Sequence, residues 1–236
     1  MMRLVKKFSE MFKQNKLLGF TLAYGIFYIL AFFWLESRDV RINIVHSKWD
    51  DMIPFCEYFV VPYFSWFVYI AFAIVYFLFM CKEQKESKRF VYTFCTGMTV
   101  FLLVSCIYPN GHNLRPEIVG NNIFMMAVRF LHWIDTPTNI LPSMHVFVTV
   151  ACTIALLRQQ SLCKRKGFRL GIWIWCILII LSTLFLKQHS IIDVCLALFL
   201  NVFCYVVFYK CLYNREFKLE KHKQKRMRKM RRLISE

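Results

Sequence analysis

The stretch FRLGIWIWCILIILSTLFLKQHSIIDVCLALFLNVFCYVVFY, Phe168–Tyr209, decides the fold class. It holds two apolar runs, Phe168–Leu186 and Ser190–Tyr209, each long enough to cross roughly 30 Å of hydrocarbon as a helix. Three residues join them, so the chain crosses, turns and comes back. The turn puts Lys187, His189 and Asp193 at one membrane edge, where ionisable side chains are expensive to bury.

Four further blocks of the same kind precede this pair: Leu17–Leu35, Pro62–Met80, Phe90–Tyr108 and Pro142–Leu157. The last opens on a proline, which suits a first helical turn because its missing N–H had no partner to lose. The composition agrees: 58% of the residues are hydrophobic and only 14 are acidic, too apolar a balance for an ordinary soluble domain. The expected fold is therefore all-α, an integral membrane bundle of six transmembrane helices. The chain divides into a basic N-terminus (1–16), the bundle (17–209) and a basic tail (210–236). No small-residue cleavage site follows the first block before Glu36, so it reads as an uncleaved span and not as a signal peptide.

Lysine and arginine orient the bundle. Segments 1–16, 81–89, 158–169 and 210–236 carry 25 of the 31 basic residues and fall on one side. Only Arg38, Arg41, Lys48, Arg115, Arg129 and Lys187 fall on the other. Both termini are expected in the cytoplasm. Much of the net charge of +17 sits in the tail, where a juxtamembrane basic run fits anionic membrane lipids. No segment carries a nucleic-acid readout module, so no nucleic-acid partner is expected. Of the ten cysteines, only Cys56 is clearly external and no C-x-x-C pair occurs, which argues against a disulfide framework.

This topology gathers several costly residues at the extracytoplasmic edge. His189 and Asp193 are four apart, so the carboxylate can fix one imidazole nitrogen and leave the other's lone pair free to attack. The same couple could equally tie two helices together. His145 follows Pro142, Ser143 and Met144 at a helix start, where free amides and the Ser143 hydroxyl favour an anion. There it can act as a general acid, or merely touch the headgroup region. Arg115 can clamp phosphate oxygens or snorkel to the interface, and Lys187 has the same two readings. His112 belongs either to the pocket or to the loop. As a set, these side chains suit phosphoryl transfer without a metal or other cofactor. Metal hydrolysis through His145, His189 and Asp193 is the chemical rival, and a non-enzymatic transporter or scaffold is the remaining alternative.

The region Tyr108–Ala197 resembles the type 2 phosphatidic acid phosphatase superfamily. That family's first motif, a lysine, six residues and Arg-Pro, ends here in Arg115–Pro116 with Tyr108 at the lysine position. Pro-Ser-Gly-His appears as Pro142–His145 with Met144 replacing glycine. Ser-Arg, five residues, His, three residues, Asp is met by Ser182, His189 and Asp193, with Thr183 replacing arginine. The resemblance implies that His189 forms a phosphohistidine, Asp193 orients it and His145 protonates the leaving group. It also implies that Arg115, Ser143 and the Met144 amide hold phosphate oxygens. Position alone suggests Lys187 as a substitute for part of the missing charge. The implied activity is a lipid-phosphate phosphatase of the plasma membrane, acting outside the cytoplasm on a phosphatidate- or polyprenyl-pyrophosphate-like lipid. The looser pattern is also similar to the lipid phosphotransferases of the superfamily, which pass a phosphoryl or phospho-headgroup to a lipid alcohol.

Overall fold

A computed structural model describes residues 16–211. The expected N-terminal basic segment, apart from Lys16, and the tail beyond Cys211 lie outside the described residues. Among the described residues eight helices follow one another: α1 (Lys16–Glu36), α2 (Lys48–Met52), α3 (Val60–Val75), α4 (Gln84–Ile107), α5 (Ile123–Ile134), α6 (Met144–Arg158), α7 (Lys166–Phe185) and α8 (Ile191–Cys204). A single 3-10 turn, Glu57–Phe59, leads into α3, and wider π turns extend α3 through Met80 and α8 through Cys211. Two short strands, β1 (Asn43–Ile44) and β2 (Asn110–Gly111), pair in parallel and stitch two loops together at one end of the bundle.

With their extensions, α1, α3, α4, α7 and α8 are long and apolar enough to cross a membrane. The remaining member of the expected six, α6, has only 15 residues. Its shortness has a packing explanation. It touches α3, α4, α7 and α8, so its surroundings are protein and not lipid. Val146, Phe147, Val148, Ala151, Cys152, Ala155 and Leu156 are all buried along it. Where the backbone needs no lipid around it, the length rule for spanning helices loses its force. On the lipid side the opposite pattern holds. Leu30 and Phe33 of α1, Val68 of α3 and Phe199 of α8 are exposed apolar side chains, as a hydrocarbon solvent permits.

Two small helices were not expected. Residues 109–141 hold no apolar block of spanning length, yet α5 forms within them. Asn122 caps it by accepting from the Met125 amide at 2.8 Å. Its Val128 and Leu131 bury against Val60, Tyr63 and Leu186, while Ile123, Met126, Phe130 and Trp133 stay exposed. The other, α2, starts on a capping box in which Ser47 and Asp50 satisfy each other's amides.

At the basic end, Glu86 joins α4 to α6 by pairing with Arg158 (3.1 Å) while also holding Arg89 (2.5 Å). At the other end, α6 begins deep. Met144 packs on a cluster containing Phe101, six residues before α4 ends at Ile107. At 1.5 Å per residue the start of α6 lies about 9 Å below the end of α4. Loops roof over that recess. All ten cysteines are free.

Candidate active site

The recess is built first from the turn between α7 and α8. Lys187 takes a left-handed backbone (φ 56°), and the amides of Gln188 and His189 both donate to the Thr183 carbonyl, at 3.0 and 3.1 Å. Ser190 then caps α8, and Asp193 folds back to accept the Ser190 amide at 2.9 Å. The same Asp193 oxygen lies 3.1 Å from His189 Nδ1. His189 thus precedes the cap and is not in the first turn, where helical spacing had put it. The bond forms because the carboxylate turns back toward the cap. Both groups are buried, and the second Asp193 oxygen has no hydrogen-bond partner among the described residues.

The start of α6 brings the second imidazole. Ser143 caps this helix through its hydroxyl, and its amide donates to the Asp193 carbonyl at 3.2 Å. That backbone bond fixes α6 against α8. His145 Nδ1 consequently stands 3.4 Å from His189 Nε2. Two rings of α3 hold His145 from the side: Tyr63 at 4.6 Å and Trp66 at 4.2 Å between centroids. Trp66 also donates its indole N–H to the His145 carbonyl at 3.1 Å. With Asp193 accepting from Nδ1–H, the lone pair of His189 falls on Nε2, the nitrogen facing His145.

Arg115 arrives from the loop after β2. It donates to the Asp135 carbonyl (2.8 Å) and to Gln188 Oε1 (2.5 Å), and its Nε is buried without a partner among the described residues. His112, also buried, accepts the Leu114 amide at Nδ1 (3.1 Å). Burial, with the Arg115 charge nearby, pushes His189 down to about 3. Burial, helped by His189 and Arg115, pushes His112 down to about 3 as well. Both rings are therefore neutral near pH 7.

A cleft of about 150 Å³ opens onto these groups. One wall is polar, with Asp135, Asn139, Gln188, His145 and His189. The other is apolar, with Tyr28, Phe32, Phe101, Trp66 and Met144. Among the expected site residues, His145, His189 and Met144 line the cleft directly. Asp193 stands one layer behind, bonded to His189, and Ser143 lies behind as well, its hydroxyl accepting the Val146 amide. Arg115 reaches the cleft through Gln188 and Asp135, two wall residues it bonds. His112 lies close enough to His189 and Arg115 to feel both charges. Lys187, expected on a phosphate, donates instead to the Asp50 carbonyl and does not line the cleft. At the altered motif positions Tyr108 is exposed and Thr183 spends its hydroxyl on the Ile180 carbonyl, as the motif serine Ser182 does on Ile179.

Sequence reading missed several supporting residues. Asp50 is buried and accepts both the Ser190 hydroxyl (2.7 Å) and the Ile191 amide (2.8 Å). The Ser47–Asp50 capping signal was visible, but nothing in it announced a partner 140 residues away. Gln188, Asp135, Tyr63 and Trp66 carried no spacing signal either. Among the described residues no group of three or more His, Cys, Asp or Glu is placed to hold a metal ion. No known family, characterised protein or solved structure matches this chain.

Proposed function

We propose that this chain is a lipid-phosphate phosphatase working through a phosphohistidine at His189. One observation carries the reading. A buried imidazole is bonded to a carboxylate at Nδ1 (3.1 Å) and faces a second imidazole at Nε2 (3.4 Å), beside an arginine. An oriented nucleophile, a proton donor and a cation are what phosphoryl transfer requires.

In the first step, the His189 Nε2 lone pair attacks phosphorus. The P–N bond forms as the P–O bond to the lipid alcohol breaks, and His145 gives its proton to the departing oxygen. Asp193 stabilises the cationic ring. Arg115 and the first amides of α6 neutralise the phosphoryl oxygens. In the second step, water attacks phosphorus, the P–N bond breaks, and His145 takes the water proton. The mixed cleft supports a lipid substrate: its polar wall suits a phosphate, and Tyr28, Phe32 and Phe101 suit the start of a tail.

The same apolar wall favours a second reading, phosphotransferase activity. A lipid alcohol seated there would replace water in the second step. In either case the proposed topology has six crossings with α6 as the fourth, both termini cytoplasmic, and the site on the extracytoplasmic side of the plasma membrane. The test is to offer the purified protein a panel of lipid phosphates, with and without lipid alcohols. Release of free phosphate supports the phosphatase and a new phosphodiester the transferase. Activity that survives His189→Ala would remove the proposed nucleophile.

A further inference from the structure

A second cavity lies at the basic end of the bundle, remote from the imidazoles. It measures about 480 Å³, and Lys16, Lys82 and Lys88 converge on it from the starts of α1 and α4 and the loop before α4. The wide turn Tyr76–Met80 shapes its floor. There the Cys81 amide donates back to the Tyr76 carbonyl at 2.8 Å, and Phe77, Leu78 and Phe79 line the cavity. Ser87 braces this floor by donating to the Phe77 carbonyl at 2.7 Å. Wide turns of this kind recur at functional sites.

Lysines outnumber acids at this cavity: exposed Glu83 flanks it but forms no ion pair among the described residues. Lys16, Lys82 and Lys88 enter no ion pair among the described residues. The nearby acid Glu86 is already committed to Arg89 and Arg158. In addition, α4 begins at the cavity with no side chain capping its first turn, so its positive dipole end adds to the lysines. An anion with phosphate-like charge would be held by all of these. The apolar floor and the position at span ends, the depth of the headgroups, select a lipid over a free ion.

We propose that this cavity binds the phosphate headgroup of an anionic phospholipid, with its chains leaving past the exposed Phe79. The site is separate from the cleft, and it stands whether or not the chain is a phosphatase. Basic pockets between spans on a cytoplasmic side are suited to such headgroups.

The test is native mass spectrometry of the full-length protein in detergent, titrated with phosphatidylserine, phosphatidylcholine or inorganic phosphate. Lys82 and Lys88 are exposed, so Lys82→Gln/Lys88→Gln leaves the packing intact, which a thermal melt checks. At about 1 kcal/mol for each lysine near anionic lipid, the double variant should bind phosphatidylserine about thirty-fold more weakly. Its phosphatidylcholine binding should not change. A tail variant, Lys225→Gln/Arg226→Gln/Arg228→Gln, should keep the phosphatidylserine site. Wild-type affinity in the double variant, or loss in the tail variant alone, would overturn the proposal. So would phosphatidylserine binding no tighter than inorganic phosphate, which would mark a site for a soluble anion.

Discussion

The proposed attack requires a neutral His189, and its surroundings favour that state. The ring is buried and close to a guanidinium, and both conditions penalise the imidazolium. Asp193 then decides which nitrogen keeps the proton. An amide would preserve the cap on α8, because its oxygen can still accept the Ser190 amide. That same oxygen faces His189 Nδ1, but without the negative charge it holds the Nδ1–H tautomer less firmly and no longer stabilises the cationic ring that the proposed attack creates. Asp193→Asn is therefore expected to leave a folded protein whose phosphoryl transfer is slower by on the order of 10³-fold or more, the scale seen when an orienting acid is amidated. Initial rates beside a detergent melt check this, and near-wild-type turnover would remove Asp193 from the mechanism. The depressed histidines also set a pH dependence. Both His112 and His189 titrate near 3 when folded, against 6.5 in the ordinary case. Between those values the unfolded chain binds more protons, so this stability is present above about 6.5 and is lost as the pH falls toward 3. Tm measured from pH 7 to pH 4 should fall, and His112→Gln should show a shallower decline. Equal slopes in the two proteins would contradict the burial of a neutral His112.

Among the elements, α6 controls the depth of the site, and one glycine controls how closely α6 can approach. A Cβ added at Gly97 of α4 would fall inside the Phe147 ring, where the two helices cross. Phe147 is fully buried and cannot retreat. Gly97→Ala should therefore cost about 1–3 kcal/mol by overpacking, with a lower Tm in detergent. Because α6 also carries His145, activity should fall with it. An unchanged melt would mean that the two helices are less tightly joined than the contact implies. Much of this element layout was legible in the sequence. The apolar blocks marked the long helices and the H-x-x-x-D spacing marked the His189–Asp193 pair, whereas Pro142, expected in the first turn of α6, precedes its Ser143 cap, as His189 precedes the Ser190 cap of α8. What stayed hidden has a common cause. Asp50 capping α8, Gln188 holding Arg115, and Tyr63 and Trp66 flanking His145 are all contacts between distant segments. Periodicity registers a residue's own helix and not the neighbour that fills its remaining bond. Helix α5 was missed for a related reason. Its 12 residues are too few for a span, so no apolar block of spanning length marks it.

For the molecule as a whole, charge and site lie at opposite ends. The loop ends of α3 and α4 and the end of α6 carry lysines and arginines, with Glu86 bridging two of the latter. The cleft end holds the imidazoles, Asp193 and Arg115 under a roof of loops. Basic segments resist transfer across a bilayer, so the lysine-rich end should stay in the cytoplasm and the cleft should face away from it. Two exposed positions separate the alternatives: Asn113, in the loop beside Arg115, and Lys164, in the turn between α6 and α7. With the native cysteines blocked or replaced, Asn113→Cys in intact cells should react with a membrane-impermeant thiol reagent. Lys164→Cys should react only after the cells are opened. The reverse pattern would turn the bundle over and place the cleft in the cytoplasm, where its substrate would have to be a lipid of the inner leaflet. Labelling of both positions in intact cells would mean that the segment between them does not cross. The short α6 would then be a re-entrant element, and the assignment of six crossings would fall with it.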